Sequence, residues 1–283
     1  MKKLSFVLGI LSFAAISCNK DMAPQTEASK SGEIILTVED GGIDVSVNTK
    51  ATAITSVPTT LYFSATTGTG TSQGSKWNSE SKSVSSGKVN TGKYQTATAT
   101  AYNYYLSNYK TMNFNDSGVT IAIDNTEDYV AGVTKASTST SPSLVLNHVF
   151  ARTGTISCSS ANSPAYTLSN LSYKLTSKSG SNTGTKGTYN IYNDTWSNCT
   201  ALSATSVTSS SDLYLIPGTY TLTVSGTESL GDYSKSFTAS ADVTLVAGQV
   251  NNISAKRTSS GATGITVSVS LNPWGTNNIT PSI

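Results

Sequence analysis

The sequence predicts an all-β protein of β-sandwich architecture, and three observations predict it. Apolar residues recur at every second position in many short runs, the spacing that buries one face of a strand. Turn residues, chiefly Gly, Ser, Asn and Pro-Gly, separate those runs at roughly even intervals. No convincing amphipathic helical period follows the N-terminal apolar stretch. A chain of 283 residues suits two domains better than one. The expected boundaries are a leader over 1–17, a tether over 18–32, and tandem β-sandwiches over 33–140 and 141–283.

Composition narrows the function classes. Charged residues make up 12% of the chain, about half of the usual ~25%, so neutral Ser, Thr, Asn and Gly supply the solubility. The net charge of +2 comes without a basic cluster, which removes nucleic acid from the expected partners. Hydrophobic content of 37% is low but set in alternation, enough to give each strand a buried face.

Met1-Lys2-Lys3 is a positive start, Leu4 to Ile16 is apolar but short for a bilayer span, and Ala15-Ile16-Ser17 precedes Cys18. This segment resembles a bacterial lipoprotein signal. The resemblance implies removal of 1–17, a diacylglyceryl group on the Cys18 sulfur and acylation of the new amino terminus. Several acyl chains hold a protein stably to a membrane where one does not. Asn19-Lys20-Asp21 faintly resembles the Lys-acidic signals that send lipoproteins to the cell surface in Bacteroidetes.

The body begins with Ile34-to-Val38 and Ile43-to-Val47 on either side of Gly41-Gly42, which reads as a hairpin. Thr49-Lys50-Ala51-Thr52 forms a polar joint before Leu61-Tyr62-Phe63. The stretch from Thr66 to Lys93 is rich in Gly, Ser, Thr and Lys and is expected to be the least ordered part of the body. Tyr102, Tyr104, Tyr105 and Tyr109 follow, then a strand over Val119, Ile121 and Ile123. Asp124 to Asp128 is expected to be a solvated turn. The strand carrying Leu144, Leu146, His148 and Phe150 on one face is expected to open the second domain. His148 is the chain's single histidine, which is too few for a typical zinc site and points to packing or hydrogen bonding.

In the second half, strands are expected over 168–175 and 188–192. Another starts after Pro217-Gly218 with Tyr220, Leu222 and Val224, and a longer one runs from Phe237 to Leu245. The last holds Ile265, Val267, Val269 and Leu271, before Pro273 and Trp274. With Cys18 set aside for acylation, Cys158 and Cys199 have one possible pairing in an oxidising compartment. Such a bridge would close about 40 residues and contribute about 2–4 kcal/mol. Two buried free thiols are the other reading.

Several pieces together resemble the Bacteroidetes fimbrillin family, the type V pilins and related fimbrial adhesins. They are the Cys18 leader, the Ala101-Tyr-Asn-Tyr-Tyr105 strand, and Leu144-x-Leu-x-His148-x-x-Ala151-Arg152. A Gly-Thr-Tyr turn with Trp196 after it, Ala247-Gly248-Gln-Val-Asn251, and the final alternating strand closed by Trp274 complete the set. The resemblance implies two transthyretin-like β-sandwiches at the cell surface, exported through the periplasm to the outer membrane as a lipoprotein. It implies assembly with other fimbrial subunits by strand exchange after a trypsin-like cut in the N-terminal region. Lys50 before Ala51 is the best-placed basic residue for that cut. Ile265, Val267, Val269 and Leu271 form the favoured donor, because β-augmentation reads alternate side chains in pockets. Host or bacterial surface receptors are further expected partners.

Enzymatic chemistry finds no constellation: no G-x-S-x-G elbow, and S-x-x-K matches at Ser79–Lys82 and Ser107–Lys110 without a K-T-G companion. Asp124, Asn125, Glu127 and Asp128 lack the glycine and glutamate spacing of a calcium loop. No enzyme, cofactor or metal is therefore expected. The alternative to a fimbrial subunit is a surface glycan-binding lipoprotein that stacks sugars on Tyr102, Tyr104, Tyr105 and Tyr109. Burial or exposure of those rings separates the two readings.

Overall fold

A computed structural model describes residues 32–40, 57–67, 74–95, 100–209, 212–258 and 265–273. In chain order the strands are β1 (Gly32–Asp40), β2 (Thr60–Thr67), β3 (Gly74–Ser85), β4 (Lys88–Gln95), β5 (Tyr102–Ser107), β6 (Asn113–Asn115), β7 (Gly118–Asp124), β8 (Val130–Ser137) and β9 (Ser143–His148). They continue as β10 (Ala151–Ser160), β11 (Thr167–Ser177), β12 (Lys186–Asn190), β13 (Thr195–Thr200), β14 (Thr205–Val207), β15 (Tyr214–Leu215), β16 (Gly218–Leu230), β17 (Tyr233–Leu245), β18 (Gln249–Arg257) and β19 (Ile265–Pro273). The all-β expectation holds, and no helix occurs among the described residues.

Strands β1-β4-β3-β2-β5-β8-β9 close into a barrel. Closure occurs because β1 bridges the gap, antiparallel to β4 and parallel to β9. The barrel is filled by Ile34, Leu36, Leu61, Phe63, Tyr104, Leu106 and their neighbours. Two four-stranded sheets, β15-β10-β18-β19 and β14-β11-β16-β17, make up the C-terminal part around a core that includes Leu175, Tyr220, Leu222, Val224, Val243 and Ile253.

A third four-stranded sheet, β13-β12-β7-β6, is built from both halves of the chain. Its centre is the antiparallel pairing of Thr120–Asp124 in β7 with Lys186–Asn190 in β12. Beneath it lies a separate core in which Tyr105, Ile121, Tyr129 and Phe150 meet Tyr189, Ile191, Tyr214 and Ile216. The Trp196 ring sits 5.3 Å from Phe150 and 5.1 Å from Tyr189. At its rim the Tyr220 hydroxyl donates to the Ile216 carbonyl at 2.7 Å and accepts from the Gly184 amide at 3.0 Å.

Four expectations are corrected. The strand expected to open the second domain instead closes the barrel: Leu144, Leu146 and His148 point inward from β9, and the alternation breaks at Val149-Phe150 before β10 resumes on the C-terminal side. His148 is buried there, its Nδ1 2.9 Å from the Asp128 carboxylate, which takes Asp128 out of the solvated turn. The polar stretch from Thr66 to Lys93 contains the β3–β4 hairpin, whose Trp77 packs 5.9 Å from Phe63 and 5.6 Å from Tyr102. Cys158 and Cys199 are free thiols, because they border different cores: Cys158 lies on β10 against the C-terminal core, and Cys199 lies on β13 against the core between the halves. Burial pushes both thiols up from their ordinary range, so each is held protonated.

The β8–β9 contact leaves no room for a side chain at Gly132, where an added Cβ would lie 2.1 Å from the Val145 carbonyl oxygen and 2.6 Å from Leu144 Cδ2. Gly132→Ala should lower stability by about 1–3 kcal/mol, the usual cost of overpacking, and a thermal unfolding scan should show a reduced midpoint. An unchanged midpoint would mean that β9 is free to shift.

Candidate functional site

Sequence alternation makes β1 an inward comb. Ile34, Leu36 and Val38 face the barrel core and are buried, with Glu33, Ile35 and Thr37 on the other side and only half-buried. Burying such side chains is worth about 1.5–3 kcal/mol each before ordering costs. The pockets that receive them are made by strands distant in sequence, including Leu61, Phe63, Val89, Val130, Leu144 and Leu146.

Both edges of β1 are taken. On one side Gly32 to Thr37 pair with Gln95 to Lys88, with one register shift, and the Val38 amide donates to the Gly87 carbonyl at 2.8 Å. On the other side the amides of Ile35 and Thr37 donate to the carbonyls of Thr140 (2.9 Å) and Pro142 (3.0 Å), and Thr37 to Asp40 run parallel to Ser143 to Leu146. The hairpin expected from Ile34 to Val47 is therefore not how β1 pairs. Its partners are β4 and β9, and Ile43 to Val47 lie outside the described residues.

The register shift has a chemical cause. Gly92 adopts φ +63°, its amide held by Asn90 Oδ1 at 2.9 Å, and this bulge turns Thr91 fully inward. The Thr91 hydroxyl accepts from the Lys93 amide at 3.1 Å and donates to the Ile34 carbonyl at 2.7 Å. Its partner in β1 is main chain, so the hook holds a strand in the slot without reading its sequence. Thr91 was missed in the sequence reading, although Asn-Thr-Gly within an alternating run is a bulge signal.

The aromatic residues proposed as a sugar platform are core. Tyr102, Tyr104 and Tyr105 are 8%, 0% and 0% exposed, respectively. Tyr102 and Tyr104 fill the barrel, whereas Tyr105 points the other way into the core between the halves and Tyr109 packs half-buried against that core. The Tyr104 hydroxyl donates to Gln95 Oε1 at 3.2 Å, and burial, with Tyr102 alongside, pushes its pKa up to about 12. It stays neutral in any ordinary medium.

The remaining sequence-predicted positions divide sharply. Cys18, Lys50 and Ala51 lie outside the described residues. Ile265, Val267, Val269 and Leu271 lie on β19, at the edge of its sheet and paired, among the described residues, with β18 alone. Ile265 is buried, Val267 and Val269 are half-buried, and Leu271 is 45% exposed. The structure thus does not bring the donor candidate and the β1 slot together within one chain.

Replacing Thr91 with Val keeps the shape and removes the hook. Thr91→Val should cost about 0.5–1.5 kcal/mol, the net worth of one hydrogen bond, and should speed hydrogen exchange of the Ile35 and Thr37 amides above that of β5. Uniform acceleration across the barrel would mean that the hydroxyl has no particular tie to β1.

No family model matches the chain, and no curated protein does. Among solved structures, a candidate cell adhesion protein from Parabacteroides distasonis aligns with a TM-score of 0.50 and 10% identity, over 88% of this chain and 100% of its own. A fimbrial protein from Bacteroides vulgatus aligns with a TM-score of 0.46 and 12% identity, over 86% of this chain and 99% of its own. The fold of this chain is similar to that of the Parabacteroides protein over nearly its whole length.

Proposed function

We propose that this chain is a subunit of a surface fimbria, or an adhesin associated with one, exported as a lipoprotein on Cys18 and assembled by strand exchange at the β1 slot. The observation that carries this reading is topological. β1 is the first strand of the fold, is buried along its inward face and is paired on both edges. It continues into the rest of the barrel through residues 41–56. One cut there, with Lys50 the best-placed basic residue, severs the strand from every other described element.

Loss of β1 would expose the pockets of Ile34, Leu36 and Val38 and leave β4 and β9 with open edges. Such a surface aggregates unless another strand fills it. β19 supports the role of donor because it is less deeply held than β1. It has one neighbouring strand and half-buried valines where β1 has two neighbours and fully buried side chains. Moving an edge strand of one subunit into the slot of the next adds a second ladder of hydrogen bonds and completes the burial of its apolar face. The cell adhesion name of the Parabacteroides protein supports a role at the cell surface. Partners on this reading are other subunits, the outer membrane through the lipid, and surface receptors.

Protein trimmed between 41 and 56 and freed of β1 should bind a peptide spanning 264–274 and polymerise, and a subunit truncated before Gly264 should accept but not donate. Failure of the peptide to bind, with undiminished polymerisation by the truncated subunit, would remove β19 as the donor. Anchorage is tested separately. Cys18→Ala should abolish acyl labelling and release the chain from the detergent phase, whereas unchanged partitioning would overturn the lipoprotein reading.

A further inference from the structure

In the β3–β4 hairpin, backbone pairing among the described residues covers Val84–Val89 and Ser85–Lys88 alone. Beyond those two pairs each strand turns to another neighbour, β3 to β2 and β4 to β1. Side chains cross where the main chains do not. Lys82 of β3 donates to the Thr91 carbonyl of β4 at 2.6 Å. Glu80 of β3 stands between two cations, 2.9 Å from Lys82 Nζ and 2.7 Å from Nζ of Lys93 on β4. Lys93 Nζ also lies 5.9 Å from the centre of the Trp77 ring, which packs on Phe63 and Tyr102. The side chains of Glu80, Lys82 and Lys93 are 31%, 17% and 26% exposed, so water and salt screen them less than an open surface pair.

These contacts converge on the Thr91-Gly92 bulge. Lys82 holds the Thr91 carbonyl, and Lys93, whose amide donates to the Thr91 hydroxyl, is itself held by Glu80. The same hydroxyl donates to the Ile34 carbonyl of β1. Two ammonium groups gathered on one carboxylate repel each other once its charge is gone. Glu80 is therefore the group on which the placement of both lysines depends.

We propose that Glu80 is a positioning residue for the β1 slot: through Lys82 and Lys93 it sets the Thr91 bulge, and with it how tightly the slot grips the strand inside. The grip on β1 is a property of the intact chain, and its bearing on an incoming strand rests on the strand-exchange reading. Because the Thr91 hydroxyl bonds main chain, the clasp acts on whichever strand occupies the slot. Acid and salt are the agents that loosen it. Burial works against the Glu80 charge, and the hydrogen bonds and charges of Lys93 and Lys82 outweigh it, holding the carboxyl below its ordinary range. The charges that meet Glu80 are these two lysines, one on its own strand and one on β4, and β2 faces it with Phe63. A carboxyl lowered by folding stabilises above its unfolded pKa, and that stability is lost as pH falls through the folded one. The grip is thus full at neutral pH and weakens as the pH drops below the ordinary carboxylate range.

The test uses the full, uncut chain in nonionic detergent, with every rate taken relative to β5. Glu80→Gln should speed hydrogen exchange of the Ile35 and Thr37 amides by about threefold, as loss of a small ion-pair network does. In Thr91→Val the hook is already gone, so adding Glu80→Gln should speed those amides no further. Sodium chloride at about 1 M, where the screening length is about 3 Å, should bring the unsubstituted chain toward Glu80→Gln and leave that variant unchanged. Acid should do the same. Equal acceleration throughout the barrel, no acceleration, or effects of the two substitutions that simply add would each overturn the proposal. If Glu80→Gln does not fold, the salt response of the unsubstituted chain at Ile35 and Thr37 decides. Strand exchange is read separately on the trimmed chain, from which a peptide spanning 264–274 should displace β1 faster in Glu80→Gln than in the parent. Displacement from neither counts against β19 as donor and leaves the clasp to the amide rates. Displacement at equal rates overturns the bearing of the clasp on exchange.

Discussion

A strand inside a sheet must have its amides and carbonyls answered on both sides, and in this protein that requirement meets at β1. β4 and β9 cannot reach each other, so the barrel exists only while a strand stands between them and answers both ladders. Everything else about the site follows from this. The apolar comb of Ile34, Leu36 and Val38 adds burial, and the Thr91 hydroxyl fixes the position of the strand through its main chain. A slot that binds backbone through three sources and side chains through alternate pockets accepts a strand by pattern more than by identity.

The core between the halves sets what such a slot can be attached to. Because β7 pairs with β12 and Phe150, Tyr189 and Trp196 interlock beneath them, the barrel and the C-terminal sheets are joined by a sheet and a core of their own. Lys135 of β8 adds a cation over the Tyr192 ring at 4.3 Å, a further tie from barrel to C-terminal half. A pull applied to one half is carried by paired strands and packed aromatic rings.

How much of this was legible in the sequence depends on whether the signal was local. The inward faces of β9, β16 and β17 could be read directly, since Leu144, Tyr220 and Phe237 each begin an alternation that the structure keeps. Strands β3 and β4 were hidden because their outward faces are Ser, Lys and Asn and only Trp77, Val84 and Val89 mark the inside. The β1–β9 pairing was invisible, because parallel pairing between distant segments leaves no turn to announce it. That absence misplaced the start of the second half and made β1 look like a local hairpin arm. The thiols illustrate the same limit: counting cysteines gave one possible bridge, and the topology put Cys158 and Cys199 against different cores.

The parallel pairing of β1 with β9 also orders events in time. Thr37 is among the earliest residues of the fold to leave a ribosome, and its neighbour Ser143 follows only after most of the barrel has been made. No closed barrel can exist before then, and long-range contacts of this kind are the slow ones in folding. Until then the partner on the β9 side of β1 is absent, whatever else the strand does. Among the strands of the barrel, β1 comes earliest in the chain and its β9 partner comes latest, so closure of the slot spans the whole barrel segment.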